Sequence, residues 1–330
     1  MPEMTNLGHI DRALTNISVA YMQGADAFIA DKVFPMISVT KQSDVYFSYS
    51  KADSFRNEVV ERGRGAESAG GNWHVKEEAP YHCKKYAFHY DITQEEKVNY
   101  DQPINVDTDT TNWLAEKMLL KREVDFQTKF FGTTIWGRDI TGVSGTPTTD
   151  QVKKWNLDTS TPVEDINAAM LQFARTTGKK PNFIIMAPDV FYALKNHGDI
   201  MDRIKYTQKG VITIELIAAL FEVDDIFIPW GVVNSGPTTA AFDDTLADVD
   251  FIYSGQMLLG YRAKRPSLKE PTAGYIFAWT GLEGASAWGS RLVRIKMDQL
   301  GLGTERLEME MAYDMKKICA DMGVFFTSLV

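Results

Sequence analysis

The chain has 330 residues, 44% of them hydrophobic and 24% charged, and its 35 Lys and Arg against 44 Asp and Glu give a net charge of −9. This is globular composition with room for a large core and roughly two lobes. It excludes a disordered chain, a collagen-like repeat and an overall electrostatic grip on nucleic acid, which needs clustered Lys and Arg. Cys83 and Cys319 are the only cysteines. There is therefore no disulfide framework and no Cys-x-x-Cys pair, and a reducing cytoplasm is the expected setting. The first ten residues, with Pro2, Glu3, Asn6 and His9, lack the basic and apolar regions of a signal peptide. No window reaches the ~18 uninterrupted apolar residues of a spanning helix.

In chain order, residues 20–39 mix Phe28, Ile29, Val33, Phe34 and Ile37 with Pro35, which suits an irregular arm lying on a surface. Val45 to Tyr49 reads as a strand, and so do Tyr86, Phe88, Tyr90 and Ile92 with their alternating polar neighbours. The stretch between them is polar, with Gly63, Gly65, Gly70 and Gly71 at its tip and Arg56, Glu58, Glu61, Arg62, Arg64 and Glu67 along its sides. A two-stranded excursion this long cannot bury a core of its own, so it is expected to fold onto something else, such as a neighbouring subunit.

The spacing of Trp113, Leu114, Met118, Leu120, Val124 and Phe131 predicts a helix over 112–131, with Asp107 and Asp109 ahead of it and Gly132 to end it. Residues 137–150 are rich in Gly, Thr and Ser and read as a boundary loop. Thr161, Pro162 and Glu164 then predict a helix start with a capping box, and that helix buries Val163, Ile166, Met170 and Phe173. Strands expected at 183–187, 226–228, 251–253 and 258–261 and helices at 189–195 and 213–221 make this half an α/β lobe. The run from Leu307, Met309 and Met311 through Ile318 to Phe325 predicts one long antiparallel strand with a wet face.

Sequence motifs for chemistry are scarce. Gly63-Arg64-Gly65 lacks the third glycine of a dinucleotide loop, no P-loop occurs, and Gly142-Val143-Ser144-Gly145-Thr146 misses the nucleophile elbow by its last residue. His82, Cys83 and His89 are the one local group of soft metal ligands, and alternation would put Cys83 and His89 on one face and His82 on the other. The adjacent pairs Glu77, Glu78 and Glu95, Glu96 point apart in a strand or helix, so a solvated surface is the expectation. No catalytic residue, cofactor or metal is assigned. The charges from Arg56 to Glu67 are assigned to an inter-subunit interface.

The order of parts (arm, long charged hairpin, long helix, α/β lobe, final antiparallel strand) resembles the major capsid proteins of tailed bacteriophages with the Hong Kong 97-like fold. The residues that carry the resemblance are Ala30-Asp31-Lys32-Val33-Phe34-Pro35, then Lys51, Asp53, Phe55 and Arg56. Leu119-Leu120-Lys121-Arg122-Glu123, Gly178 with Pro181-Asn182, and Gly274-Tyr275-Ile276-Phe277 with Trp279 continue it. The resemblance implies an α+β fold divided into an N-terminal arm at 1–44, an E-loop hairpin at 45–92, a peripheral domain with a spine helix at 93–150, an axial domain at 151–286, and return strands of the peripheral domain at 287–330.

It further implies a structural role without enzymatic activity: self-association as hexamers and pentamers into an icosahedral virion shell enclosing double-stranded DNA, assembled in the host cytoplasm, without sequence-specific DNA binding and without a membrane. A separate scaffolding protein, a portal protein and a decoration protein are the implied partners. Some relatives form Lys to Asn isopeptide bonds; Lys51 and Lys76 lie in or beside the hairpin, but no partner can be matched, so no crosslinking is expected. The alternatives are the shell of a cellular nanocompartment with the same fold and a soluble α/β enzyme with an unrecognised site.

Overall fold

A computed structural model describes residues 23–99, 105–204, 212–236, 248–265, 270–281, 284–286, 289–297 and 303–330. The start of the expected arm, residues 1–22 with His9, lies outside the described residues, as do 298–302 of the return strands. The chain opens with α1 (Ala30–Val33), β1 (Met36–Val39), β2 (Ser43–Asp44), β3 (Phe47–Tyr49), α2 (Lys51–Phe55), β4 (Val75–Glu77), β5 (Tyr81–His82) and β6 (Lys84–Ile92). Next come α3 (Gln94–Asn99), α4 (Val106–Phe130), β7 (Arg138–Val143), β8 (Gln151–Lys153), α5 (Pro162–Thr177), β9 (Phe183–Met186), α6 (Pro188–Asn196) and α7 (Gly198–Ile204). It continues through α8 (Ile214–Phe221), β10 (Asp225–Phe227), β11 (Val232–Asn234), β12 (Val249–Phe251), β13 (Met257–Gly260) and β14 (Gly274–Trp279). The chain ends with β15 (Ser290–Lys296), β16 (Glu305–Lys317) and β17 (Gly323–Thr327).

Two sheets organise these elements. In the first, β16 is the long central strand: β6 lies antiparallel along one edge, β15 and then β14 along the other, and β1 adds to β14 in parallel. In the second the order is β10-β9-β13-β17-β7-β8. The chain crosses between the sheets more often than the sequence implies. Residues 138–143, inside the expected boundary loop at 137–150, are β7, and residues 151–153 just after it are β8, both in the second sheet. The predicted C-terminal strand breaks at a 3-10 turn, Ala320–Met322, so that β16 serves the first sheet and β17 the second.

The long helix α4 starts six residues before the predicted position, because Asn105 caps it by accepting the Thr108 N–H at 3.2 Å. Its Leu114, Met118, Phe126 and Phe130 are buried, and it packs on β16 and β6. Helix α5 begins as predicted at Pro162, but no capping box forms: the Thr161 side chain accepts no cap hydrogen bond and Glu164 pairs with Arg203 instead. The reciprocal pair occurs at α3, where Thr93 N–H donates to Glu96 at 3.0 Å and Glu96 N–H to the Thr93 hydroxyl at 3.2 Å.

One continuous core joins both sheets. The arm is part of it, not merely laid over it. The Phe34 ring contacts Phe126, Phe130 and Phe183 at centroid distances of 5.5, 4.8 and 5.8 Å, linking arm, helix and second sheet. Glu123 of α4, fully buried, accepts the Ile29 and Ala30 N–H groups at 2.9 and 2.8 Å and the Tyr253 hydroxyl at 2.7 Å. Three donors compensate its desolvation in part, and burial still pushes the carboxyl above the usual carboxylate range.

Candidate assembly surface

The hairpin is rooted by backbone pairing. Ser43 and Asp44 face His82 and Tyr81, then Phe47, Ser48 and Tyr49 face Glu77, Lys76 and Val75. Between the ladders, at Val45-Tyr46 opposite Ala79-Pro80, one bond runs from Glu78 N–H to the Tyr46 carbonyl at 3.0 Å. At the far end Ser50 N–H donates to the His74 carbonyl at 3.0 Å, and the Ser50 hydroxyl caps α2 by accepting the Asp53 N–H. The Asp53 carboxylate then accepts the His74 N–H at 3.0 Å and meets the ring Nδ1 at 2.7 Å. The His74 bond holds the Asp53 carboxyl below its ordinary value. These contacts close the neck of the loop.

Beyond that neck the chain buries almost nothing: residues 54–77 are exposed throughout. Arg56 pairs with Glu58 of the same loop at 3.2 Å, and Arg62 Nε donates to the Ala66 carbonyl at 2.5 Å. Glu61, Arg64 and Glu67 have no ion-pair partner among the described residues. All six predicted charges thus sit together on one exposed loop. The loop also carries an apolar component that a reading for charge overlooks: Phe47, Tyr49, Val59, Val60 and Trp73 are all exposed, Val59 at 88%. The Tyr49 and Trp73 rings meet in a tilted pair with centroids 5.5 Å apart. The available signal was the alternation Val45, Phe47, Tyr49 and three large apolar residues inside a Gly-rich charged stretch.

The sequence-level candidates for chemistry are scattered. Cys83 is buried beneath Tyr81, Tyr275 and Phe277 and its thiol is pushed up to about 12 by burial, whereas His82 and His89 are exposed. Among the described residues no three His, Cys, Asp or Glu side chains are grouped to hold a metal, and no helix is long and apolar enough to cross a membrane. The nearest thing to a nucleophile and base is Ser160 with His197, Oγ to Nε2 at 3.0 Å, both buried. Nδ1 of that ring accepts the Asp199 N–H at 3.2 Å, which leaves the proton on Nε2. Nε2 therefore cannot take a proton from Ser160, whose hydroxyl donates to the Leu157 carbonyl at 2.7 Å. This is a structural pair.

No family model matches the chain. The major capsid protein of the Burkholderia phage BcepMu is 25% identical over 233 residues, covering 69% of this chain and 71% of the relative. Among solved structures, a phage-related protein from Bordetella bronchiseptica superposes with a TM-score of 0.69 at 19% identity over 93% of this chain and 94% of its own. The capsid of cyanophage P-SCSP1u gives 0.61 at 10% identity, covering 97% and 92%. This is the Hong Kong 97-like capsid fold. A third neighbour, the SrpI encapsulin of Synechococcus elongatus, gives 0.57 at 12% identity, covering 96% and 94%.

The resemblance to tailed-phage major capsid proteins is thus present in both sequence and fold. Glu123 and Phe34 fasten residues 29–34 to α4.

Proposed function

We propose that the chain is the coat subunit of a tailed phage, associating as hexamers and pentamers that close into an icosahedral shell around double-stranded DNA. The observation that carries this reading is a self-sufficient body joined to a hairpin whose residues 54–77 all stay exposed in their own chain, a plan suited to a subunit that overlaps its neighbours. In this reading 1–44 form the N-arm, 45–92 the E-loop, 93–150 and 287–330 the peripheral domain and 151–286 the axial domain, with β14 of the axial range in the first sheet and β7 and β17 of the peripheral ranges in the second. Arg56, Arg62 and Arg64 face Glu58, Glu61 and Glu67 of another copy and set register more than raw stability. Net charge of −9 suits a container that encloses DNA without gripping it. A scaffolding protein, a portal and a decoration protein are the further partners, and the product is a virion capsid assembled in the host cytoplasm.

Electron microscopy of the purified chain, alone and with its neighbouring gene product, tests this. Closed shells or capsomers are expected, and a strictly monomeric folded chain under both conditions would refute it. Arg62→Glu or Arg64→Glu should leave the circular dichroism melt unchanged and cut shell yield, more at low salt than at high. The encapsulin neighbour supports a second reading, a nanocompartment shell of the same fold. Particles that package DNA with a portal present favour the phage; particles that instead enclose a protein cargo favour the compartment.

A further inference from the structure

Three aromatic side chains stand together on the surface of the α/β half. Tyr192 of α6, Trp230 between β10 and β11, and Phe251 of β12 are 51, 40 and 39% exposed. Their rings meet edge to face, Tyr192 to Trp230 at 5.9 Å and Trp230 to Phe251 at 6.3 Å. The ridge is fixed from behind: Trp230 N–H donates to the Ala27 carbonyl at 3.1 Å, and at Gly231 an added Cβ would lie 3.4 Å from the Phe28 ring. A contiguous row of exposed rings is apolar surface of the kind that takes a partner. The first described residues arrive beside it. Gln23 donates from its side-chain amide to the Val232 carbonyl and accepts the Val232 N–H, each at 2.9 Å, while its own N–H donates to Glu116 of α4 at 2.8 Å. Val232 lies opposite Phe251 in the β11–β12 pair, so Gln23 stands one strand away from the ridge. Immediately upstream the sequence carries Leu7, Ile10, Leu14, Ile17 and Tyr21, apolar residues at the three- and four-residue steps of one helix face, with His9, Asp11, Arg12 and Asn16 between them.

We propose that the occupant of this ridge is residues 7–21 of the same chain, their apolar stripe laid against Tyr192, Trp230 and Phe251. Place, length and pattern agree. Tyr21 is two residues from Gln23, a reach of up to about 7 Å, against a strand spacing of about 4.8 Å. Residues 7–21 at the helical rise of ~1.5 Å each span roughly 22 Å, enough for both ring-to-ring steps of the ridge. A helix this short, containing Gly8, Thr15, Asn16 and Ser18, is marginal in water by itself, so the stripe needs a surface to persist. Docking takes the stripe and the ridge out of water together. Attachment at Gln23 also gives the segment an effective concentration at the ridge of order millimolar, an advantage that a free partner of the same chemistry lacks. The contact is made within one chain and is independent of the assembly reading.

Hydrogen exchange read by mass spectrometry on dilute free subunits of the full chain tests this. Backbone amides of residues 10–21 should exchange more slowly than those of the exposed loop at 62–72, and Trp230→Ser with Phe251→Ser should abolish that protection while β9 keeps its own. The reciprocal variant, Leu14→Ser with Ile17→Ser, alters only the segment, and in it hydroxyl-radical oxidation of Tyr192 and Trp230 should rise above the wild-type level. Should the ridge substitutions disturb β9, this second variant decides, because it leaves every residue of the body in place. Exchange across 10–21 as fast as in the loop overturns the inference. Protection that survives the ridge substitutions, or oxidation that stays at the wild-type level in the reciprocal variant, overturns it as well, because the segment is then seated elsewhere. Protection that disappears on further dilution assigns the ridge to a second copy and overturns the contact within one chain.

Discussion

The second sheet and the exposed hairpin loop use the same kinds of residue in opposite ways. In β9 the residues Phe183, Ile184, Ile185 and Met186 are each fully buried, whereas Val59, Val60 and Trp73 in the loop are 88, 66 and 66% exposed. Each large apolar side chain taken from water contributes roughly 1.5–3 kcal/mol. The body thus holds its driving force for folding within one chain, and the loop holds a comparable force unspent. The lesson is that the two regions answer to different equilibria: the sheet to folding and, in the proposed coat subunit, the loop to association.

The sharpest way to break that comparison is to substitute one residue on each side. Phe326 is fully buried in β17 and packs against Trp155 at 5.9 Å. Phe326→Ala should cost about 3–5 kcal/mol by lost transfer energy and the cavity left behind, read as a lower urea midpoint. Val59→Ser with Val60→Ser should change folding by less than about 0.5 kcal/mol, as for exposed positions in general, and should lower shell yield. If the loop variant lowered the urea midpoint as far as the core variant, the division between folding and association would fail.

A smaller effect is expected where residues 29 and 30 join α4. Glu123→Ala strands the Ile29 and Ala30 N–H groups and the Tyr253 hydroxyl without their acceptor, a loss of roughly 3 kcal/mol at the usual cost of unsatisfied buried groups. The pH dependence has a definite sign. Burial raises the Glu123 carboxyl, outweighing the bonds from Tyr253, Ala30 and Ile29, and the like charge of Asp31 adds to the rise, while Arg122 beside it on α4 pairs with Asp31. A folded value above the unfolded one means that the contribution is complete below about pH 4 and is lost as pH climbs through the raised value. Glu123→Gln keeps an acceptor for the two N–H groups and cannot ionise, so its urea midpoint should lack that decline.

Much of this architecture is legible in the sequence where a single periodicity governs. Helices α4 and α5 follow 3.6-residue spacing because each buries one stripe, and β9 shows as an unbroken apolar run because both its faces are covered. Strand β7 was hidden by Thr141 and Gly142 within it, and β8 by its length of three residues with a single apolar one, Val152. Gly142, which reads as a loop marker, is a packing requirement: a Cβ there would lie 2.1 Å from the Ser328 carbonyl oxygen. The break between β16 and β17 was hidden for a related reason, since Gly323 leaves room for the Trp136 indole, a residue almost two hundred positions away. At the assembly surface the charges were legible as a cluster. The exposure of Phe47, Tyr49 and Trp73 was not, because whether an aromatic residue is covered depends on what the rest of the fold brings near it.

The smallest effect concerns charge on the body. Asp91 on β6 stands opposite Arg306 on β16, and the two form a double bond of hydrogen contacts at 2.7 and 2.8 Å on the sheet face turned away from α4, which covers Leu307. Arg306 holds the Asp91 carboxyl below its ordinary value. A depressed folded value means that the contribution is present above the unfolded value near 4 and is lost as pH falls through the folded one. Asp91→Asn should therefore remove a slight acid sensitivity from the urea midpoint and cost under about 1 kcal/mol at neutral pH, as partly exposed pairs do. It should leave shell yield alone, because these charges are already satisfied within the chain, whereas Glu61, Arg64 and Glu67 have no such partner among the described residues. Loss of shells in Asp91→Asn together with full assembly in Arg64→Glu would place the association surface on the sheet and not on the loop.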